Sequence, residues 1–262
     1  MEKQTTRASE GMAGLAKGLA ILEAFGPERT QLTIADAAEE AGITRAAARR
    51  CLLTLTDLGY LAHDGKWFRP LPRLLRLGFS YLRSDPLTQL AQAILASVRD
   101  EVGESVSLAV LDGDDSVFVA RSTVSRIVSR AVTVGARLPA FCSATGRVLL
   151  AALPDDEVEA YLKRVNLLPR TPQTNVDAAA LLATIRQARA DGYGVSDEEL
   201  EPGLRAIAVP VRDRAGQVAA AMSVSTAATR MDADVMLATL LPALRRGADA
   251  LGNMMAPVHG TQ

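Results

Sequence analysis

Hydrophobic residues in the first 60 positions recur every three or four residues, which is the spacing of one face of an α-helix. One such stripe predicts a helix over residues 12–26, ended by Gly26 and the proline after it. A second helix is predicted from Thr33, which Asp36 follows at capping-box spacing, to Gly42. The first stripe consists of Leu15, Leu19, Leu22 and Phe25.

A third amphipathic stretch begins after Thr44, a good N-cap residue, and ends at Gly59. Beyond it, short alternating segments on either side of Asp64-Gly65 predict a β-hairpin. Two helices joined by a tight glycine-containing turn and followed by a hairpin are typical of a winged helix-turn-helix, here over residues 1–70. The predicted core face of the third helix consists of Ala48, Cys51, Leu52, Leu55 and Leu58.

The pattern changes at residue 71. Residues 71–86 are predicted to form a linker helix, whose apolar stripe needs a covering surface such as a second subunit. Over residues 87–256, strand-like segments joined by hairpins alternate with amphipathic helices, and one strand is expected at residues 126–135. This predicts an α/β domain with a largely antiparallel sheet, within an α+β chain of two domains. The linker stripe consists of Leu74, Leu77 and Tyr81.

The composition is that of a globular protein in water, since 48% of the 262 residues are hydrophobic and 23% are charged. Lys17 interrupts the first apolar stretch, so we expect no signal peptide. No run of about 18 apolar residues predicts a membrane helix. The two cysteines have no CxxC spacing, which suits a reducing compartment. We therefore expect a cytoplasmic protein without membrane contact.

The net charge of -1 hides an uneven distribution of charged residues. Residues 42–76 contain seven arginines and lysines against two aspartates, a balance of +5, which leaves -6 for the rest. A local basic patch in a mildly acidic chain is typical of a nucleic-acid-binding module joined to another domain.

The third helix carries the candidate chemistry of the first domain. Arg45 and Arg49 are neighbours on its outward side, and the small Ala46 and Ala47 would let the helix enter a DNA major groove about 12 Å wide. Arginine can bind a guanine edge or a phosphate. A solvated basic face is the alternative, but the surrounding motif favours DNA contact. The predicted DNA-binding residues are Thr44, Arg45, Ala46, Arg49, Arg50 and Lys66.

Four segments resemble, in the same order, those of IclR-family transcriptional regulators. They are GLAKGLAIL, LTIADAAEEAGITRAAARRCLLTLTDLGYL, GARLPAFCSATGRVLLAALP and GYGVSDEELEPGLRAIAVPVRDRAG, and the resemblance covers about residues 12–252. Within the family, the chain is most similar to the PcaR/PobR-type branch, which regulates aromatic-acid breakdown. The resemblance implies a winged helix-turn-helix for double-stranded operator DNA, a linker helix, and a GAF-like domain that binds a small organic acid. It also implies homodimers, often paired into tetramers.

The segment CSATGR places Ser143 at a predicted helix N-terminus, where backbone N–H groups and the helix dipole favour a carboxylate. From the residues alone, a plain N-cap is the alternative. The resemblance implies that this segment borders the effector pocket. It also implies that Ser196 and Ala206 replace an aspartate and a cysteine common in the family, so the ligand cannot be transferred from a relative. The predicted effector-binding residues are Ser143, Ala144, Thr145, Ser196, Ala206, Ser223 and Ser225.

Three further charged residues were weighed for this domain. Arg137 and Arg147 are candidate partners for an acid, although a surface or structural role is expected for each. Glu199 lies in the acidic run SDEELE with no histidine nearby, so a structural role is expected. The sequence predicts neither a metal nor a cofactor.

Two alternatives to a ligand-responsive regulator remain open. The second domain could be a ligand-blind dimerisation domain. The chain could also be an enzyme that uses Cys142 or Ser143, because a helix N-terminus stabilises a thiolate. However, the two histidines, His63 and His259, lie in the predicted wing and the tail. No GxSxG, HExxH or phosphate-binding loop occurs, so we expect no catalytic activity.

Overall fold

The computed structural model describes residues 12–26, 28–124 and 133–255. Its contacts divide the chain into two compact units, with the boundary after Tyr81. The predicted α+β fold class is confirmed, because a helical unit with a hairpin precedes a unit built on an antiparallel sheet. Most of the strand expected at residues 126–135 lies outside the described residues.

The first unit contains three helices and a hairpin. Thr33 and Asp36 form a complete capping box, in which the Asp36 carboxylate accepts a hydrogen bond from the Thr33 N–H at 2.8 Å. Hydrogen bonds from Thr33 hold the pKa of Asp36 below its usual value. Gly42 has a φ of +60° in the turn before the third helix, a conformation that favours glycine. The elements are α1 (Ala13–Glu23), α2 (Ile34–Glu40), α3 (Arg45–Asp57), β1 (Leu61–His63) and β2 (Phe68–Pro70).

The predicted packing of the first unit is wrong at two places. Leu15 and Leu19 are 61% and 46% exposed, whereas Ile21 is fully buried. Helix α1 carries apolar side chains on more than one face, so their spacing does not identify the face that packs. Leu58 is 52% exposed because it is the C-cap of α3, beyond the last turn that faces the core.

The linker segment contains a 3₁₀ turn and an α-helix, and a separate helix follows it. A 3₁₀ turn (Pro72–Leu74) leads into α4 (Leu75–Ser84), and Asp85 then caps α5 (Pro86–Val102). The two stripe residues of α4, Leu77 and Tyr81, are 49% and 46% exposed in the single chain.

The second unit is built on a six-stranded antiparallel sheet with the strand order β5-β4-β3-β8-β7-β6. None of the described helices has both the length and the apolar character needed to cross a membrane. The elements after α5 are β3 (Val106–Asp112), β4 (Asp115–Ser122), β5 (Arg137–Pro139), α6 (Ala144–Leu150), α7 (Asp155–Arg164), α8 (Ala178–Asp191), β6 (Gly194–Asp197), β7 (Leu204–Arg212), β8 (Val218–Ala227) and α9 (Ala233–Met254).

The two faces of this sheet carry side chains of different size. Bulky residues such as Leu108, Ile207 and Met222 pack with α5 and α9 in the main core. The opposite face carries small residues, among them Ala208 and Ala221, which pack against α6. Alternate residues of a strand point to opposite faces, so each strand contributes to both surfaces.

Helix α6 also lies very close to the turn that precedes it. A Cβ atom at Gly146 would stand 2.2 Å from the Cα of Ala140, which is a backbone atom and cannot rotate away. Only a glycine fits at this position without moving the helix.

Replacing Gly146 with alanine is therefore expected to destabilise the second unit by about 3 kcal/mol, through overpacking against backbone. Thermal unfolding followed by circular dichroism measures the loss. Gly18→Ala is the matched control, because a Cβ at Gly18 in α1 meets nothing within 4 Å. The control should be neutral or slightly stabilising. Equal melting temperatures for the two variants would contradict the close packing of α6.

Candidate nucleic-acid and ligand sites

Helix α3 presents its N-terminal half to solvent. The Thr44 hydroxyl caps the helix by accepting a hydrogen bond from the Ala47 N–H at 3.3 Å. Ala47 itself is 6% exposed, so the prediction that it gives clearance for the groove was wrong. A helix turns by about 100° per residue, which carries Ala47 to the core side and leaves Ala46 to provide clearance. The exposed residues of this half are Arg45, Ala46, Arg49 and Arg50.

A cleft of about 500 Å³ lies between α3 and the wing, which is the hairpin β1–β2. Arg45 and Arg49 line it from α3, His63 and Lys66 line it from the wing, and Thr33 lines it at the start of α2. We call this space the wing cleft. Three cationic side chains thus border one groove, which is the arrangement that binds a polyanion such as DNA.

Asp64 fixes the shape of the wing. Its carboxylate accepts hydrogen bonds from the N–H groups of Lys66 at 3.1 Å and Trp67 at 2.9 Å. These bonds, that of Trp67 first, hold the pKa of Asp64 below its usual value. Gly65 has a φ of +100° at the tip, which requires glycine. The ammonium group of Lys66 lies 5.0 Å from the centroid of the half-buried Trp67 ring.

Not every basic residue of the patch is available to DNA. Arg69 pairs with Asp64 at 3.0 Å within the wing. Arg73 donates to the Leu58 carbonyl at 2.7 Å, which satisfies a backbone group at the end of α3. Of the seven basic residues, at least these two therefore have structural partners.

Two cross-strand rows lie on the face of the sheet that packs against α6. Paired residues of adjacent antiparallel strands point to the same face and lie about 5 Å apart. The serine row consists of Ser196, Ala206 and Ser225 on β6, β7 and β8. The arginine row consists of Ala208, Ser223, Ser107 and Arg121 on β7, β8, β3 and β4.

The hydroxyl groups of the predicted effector residues on α6 and β6 differ in whether they can still donate a hydrogen bond. Ser143 accepts from the Gly146 N–H at 3.1 Å, and Thr145 accepts from the Ser116 hydroxyl at 2.7 Å. Both therefore keep a proton to donate. Ser196 donates its only proton to the Cys142 carbonyl at 2.8 Å, so its hydroxyl holds the end of β6 against the turn before α6.

The predicted residues of the two rows have small side chains. Ser223 is buried, Ala206 and Ser225 are partly buried, and Ala144 at the start of α6 is buried beside them. Within the described part of the chain, the hydroxyl of Ser223 has no hydrogen-bond partner. This hydroxyl can therefore form a hydrogen bond with a polar ligand.

The sequence analysis missed Arg121 and Ser107. The guanidinium of Arg121 shares the arginine row with Ser107, which is 6% exposed, and burial lowers the pKa of Arg121. A half-buried basic side chain beside serine hydroxyls is a group that can bind a carboxylate. The sequence signal was the arginine in the apolar strand segment VFVARS, but a register shift after Leu108 alters which residues face α6.

Arg137 and Arg147 have protein partners instead. Arg147 is 4% exposed and forms a bidentate ion pair with Glu199, both N···O distances being 2.6 Å. Arg137 pairs on the surface with Asp112 and Asp115, and hydrogen bonding to Asp112 raises its pKa. Glu199 therefore has a structural role, since it anchors α6 to the loop after β6.

Cys142 cannot act as the stabilised thiolate considered above. It is fully buried in a 3₁₀ turn before α6, and burial raises the pKa of its thiol to about 11. The expected thiolate stabilisation was wrong because the loss of hydration on burial is the largest influence on this thiol. Across the described residues, no group of three His, Cys, Asp or Glu side chains could hold a metal ion.

Comparisons with known proteins match both units. The model of the IclR helix-turn-helix domain matches residues 14–65, and that of the bacterial transcriptional regulator IclR C-terminal domain matches residues 79–253. The Pca regulon regulatory protein of Pseudomonas putida is 46% identical, over 89% of this chain and 80% of that protein. The p-hydroxybenzoate hydroxylase transcriptional activator of Acinetobacter baylyi is 39% identical, over 95% of this chain and 94% of its own length.

A solved structure extends these similarities. It is an IclR homolog complexed with 4-hydroxybenzoate from Microbacterium hydrocarbonoxydans, and it superposes with a TM-score of 0.74 at 28% identity. The match covers 92% of this chain and 98% of that one.

Replacing Arg45 or Arg49 with alanine is expected to weaken binding to the operator by about 1–3 kcal/mol if the lost contact is to a base. Fluorescence anisotropy with labelled operator DNA measures the change. Arg164→Ala removes the same charge from a surface ion pair of the second unit and should leave binding unchanged. Full affinity and unaltered sequence preference in both α3 variants would show that another surface contacts DNA.

In a Cys51→Ser variant, Cys142 is the remaining thiol. Because the pKa of Cys142 is raised to about 11, its thiolate fraction should increase about tenfold per pH unit from neutral pH upward. Labelling by a thiol reagent should therefore be very slow near neutral pH, accelerate with pH, and become immediate on unfolding. Rapid labelling of the folded protein at neutral pH would contradict the burial of Cys142.

Proposed function

The chain belongs to the IclR family of DNA-binding bacterial transcriptional regulators, and we propose that it controls a catabolic operon in response to an aromatic acid. The acid binds in the second unit, between helix α6 and the two cross-strand rows. A regulator that acts on bacterial DNA works in the cytoplasm. The observation that carries the ligand proposal is the arginine row, where the half-buried Arg121 is paired with the buried Ser107, which is paired in turn with the buried Ser223.

The arginine row suits a carboxylate. The Arg121 guanidinium can donate two parallel hydrogen bonds to the two carboxylate oxygens, and these charge-assisted bonds strengthen as water is excluded. Ser107 lies on the adjacent strand β3 and Ser223 on β8, the next strand beyond it, and both can donate to a carboxylate held over this row. The described residues of this row supply no acidic side chain that would repel an anion.

The part of the proposed ligand site beyond the arginine row suits a flat apolar ring. Ala206, which is partly buried between Ser196 and Ser225 in the serine row, offers a small apolar side chain to a ring. Ser143, Thr145 and Ser225 provide hydroxyl groups for a polar ring substituent. The ligand class is therefore a hydroxybenzoate or a related ring-derived acid, in keeping with the relatives named for pca genes and p-hydroxybenzoate hydroxylase and with the 4-hydroxybenzoate complex. A keto acid uses the same carboxylate contacts but has no ring to lie against Ala206.

We propose that the functional form is a homodimer, which can pair into tetramers on DNA. Helix α4 supports this, because its apolar side chains are exposed in the single chain by between 46% and 61%. Leu75 and Phe79 lie on one side of the helix and Leu77 and Tyr81 on the other, and exposed apolar side chains of this size are expected at a subunit interface. These side chains are Leu75, Leu77, Phe79 and Tyr81.

Two alternatives are less well supported. A ligand-blind dimerisation domain has no need for a basic side chain on the small-residue face of its sheet, where a hydrophobic residue would cost less. Catalysis by Cys142 conflicts with a thiol whose pKa is about 11.

The ligand proposal predicts a thermal stabilisation. Saturating 4-hydroxybenzoate should raise the melting temperature of the full chain. At a ligand concentration of one hundred times Kd, the free energy of unfolding should increase by about 2.7 kcal/mol. The methyl ester of the same compound lacks the anion and should have little effect. If none of a panel of hydroxybenzoates, ring-cleavage acids and keto acids stabilises the protein, the second unit is ligand-blind.

Arg121→Gln should abolish this stabilisation, because the guanidinium is lost. Arg137→Gln is its matched control, since that side chain pairs with surface aspartates and should retain the full response. Circular dichroism of both variants establishes that they fold. A folded Arg121→Gln variant with an unchanged response would place the carboxylate elsewhere.

A further inference from the structure

We propose that His63 is a phosphate-binding residue of the DNA interface, and that its protonation makes DNA binding depend on pH. This inference rests on the DNA-binding role of the first unit. It concerns the wing cleft, in which the imidazole stands with three cationic side chains.

The imidazole of His63 is held in a fixed position. His63 is paired with Phe68 across the hairpin, and the two rings stack with centroids 4.1 Å apart and planes within 8°. Phe68 is 1% exposed and belongs to the core of the first unit, so the Phe68 ring is fixed and gives the imidazole a rigid surface to stack on. The stack thus turns one face of the imidazole to the protein and leaves its nitrogen-bearing edge accessible.

Both ring nitrogens of His63 remain available to a ligand. Among the described residues, neither forms a hydrogen bond, and the residue as a whole is exposed. A histidine that served only to pack the wing would gain as much from the stack if it were phenylalanine. Packing does not explain why the ring at position 63, at the border of a cationic cleft, carries polar nitrogen atoms.

The charges around the wing cleft are mostly positive. Arg45 and Arg49 from α3, and Lys66 from the wing, are all basic. The neighbouring acid is Asp64, whose carboxylate is already engaged by backbone N–H groups and by Arg69. The lining residues from α2, Thr33 to Ala35, are uncharged.

Bound DNA adds negative charge to this cleft. A phosphate attracts the imidazolium more strongly than the neutral imidazole, so DNA binding should favour the protonated form in the range where histidine changes its charge, between about pH 5 and 8. Each protein–phosphate contact also displaces condensed cations from DNA. Lowering the pH should therefore both tighten binding and steepen its dependence on salt.

The test uses the full-length protein and a fluorescein-labelled duplex of mixed sequence, about 30 base pairs long, because phosphate contacts do not depend on sequence. Anisotropy is measured between about pH 6 and 8 at several salt concentrations. Wild-type affinity should increase by up to about tenfold per pH unit, which is the limit for one proton. The slope of log K against log salt should steepen by about 0.9 over the same range.

Two substitutions separate charge from packing. His63→Phe keeps the stack on Phe68 but cannot gain a charge, so its affinity should remain at the high-pH value of the wild type. His63→Arg keeps a flat group with a permanent charge, so its affinity should be high and much less dependent on pH. His259→Phe is the control for the second histidine of the chain and should retain the wild-type response.

The outcomes distinguish the possibilities. If His63→Phe retains the wild-type pH response, the proposal is overturned. It is also overturned if His63→Phe and His63→Arg lower affinity equally at every pH, because His63 would then only support the wing. If the wild type binds no DNA at any pH, the failure lies in the DNA-binding role itself.

Discussion

The close approach of helix α6 to the sheet is the constraint on which the second unit depends. Gly146 of the helix and Gly194 of β6 leave no room for a side chain, and a Cβ at Gly194 would lie 2.9 Å from the Ala144 carbonyl oxygen. The buried ion pair between Arg147 and Glu199 fixes the helix from one side, and the bond from Ser196 to the Cys142 carbonyl fixes the preceding turn. A helix held in this way is a rigid wall for a small ligand, because its position is set by backbone contacts that cannot relax.

The first unit concentrates positive charge, and some of its basic side chains also stabilise the fold. Arg69 and Arg73 are bound to an aspartate and a backbone carbonyl, so part of the charge supports the wing and the end of α3. Arg45, Arg49 and Lys66 remain around the wing cleft. The same basic patch therefore stabilises the first unit and provides the positive charge that we propose attracts DNA.

Much of the architecture could be predicted from the sequence, because caps, glycine turns and the Asp64-Gly65 hairpin are local signals. The packed face of α1 could not, since apolar residues cover several of its faces and tertiary contact selects one. The burial of Cys142 also needed the fold, because the sequence shows the helix start but not the desolvation around it. Arg121 was missed for a further reason: a register shift in β4 changes the parity of its side chains, and alternation alone cannot place a residue beyond such a shift.

Side chains alternate between the two faces of each strand, which separates the residues that stabilise the core from those that face α6. On strands such as β8, Met222 and Val224 belong to the stabilising core, while Ser223 and Ser225 point to α6. A substitution at a residue of the second kind changes the surface that we propose binds the ligand, without opening a void in the core. Under this proposal, ligand preference can drift through single mutations in a lineage while the scaffold keeps its stability, and such divergence between related sensors should accumulate at the alanine and serine positions of the two rows.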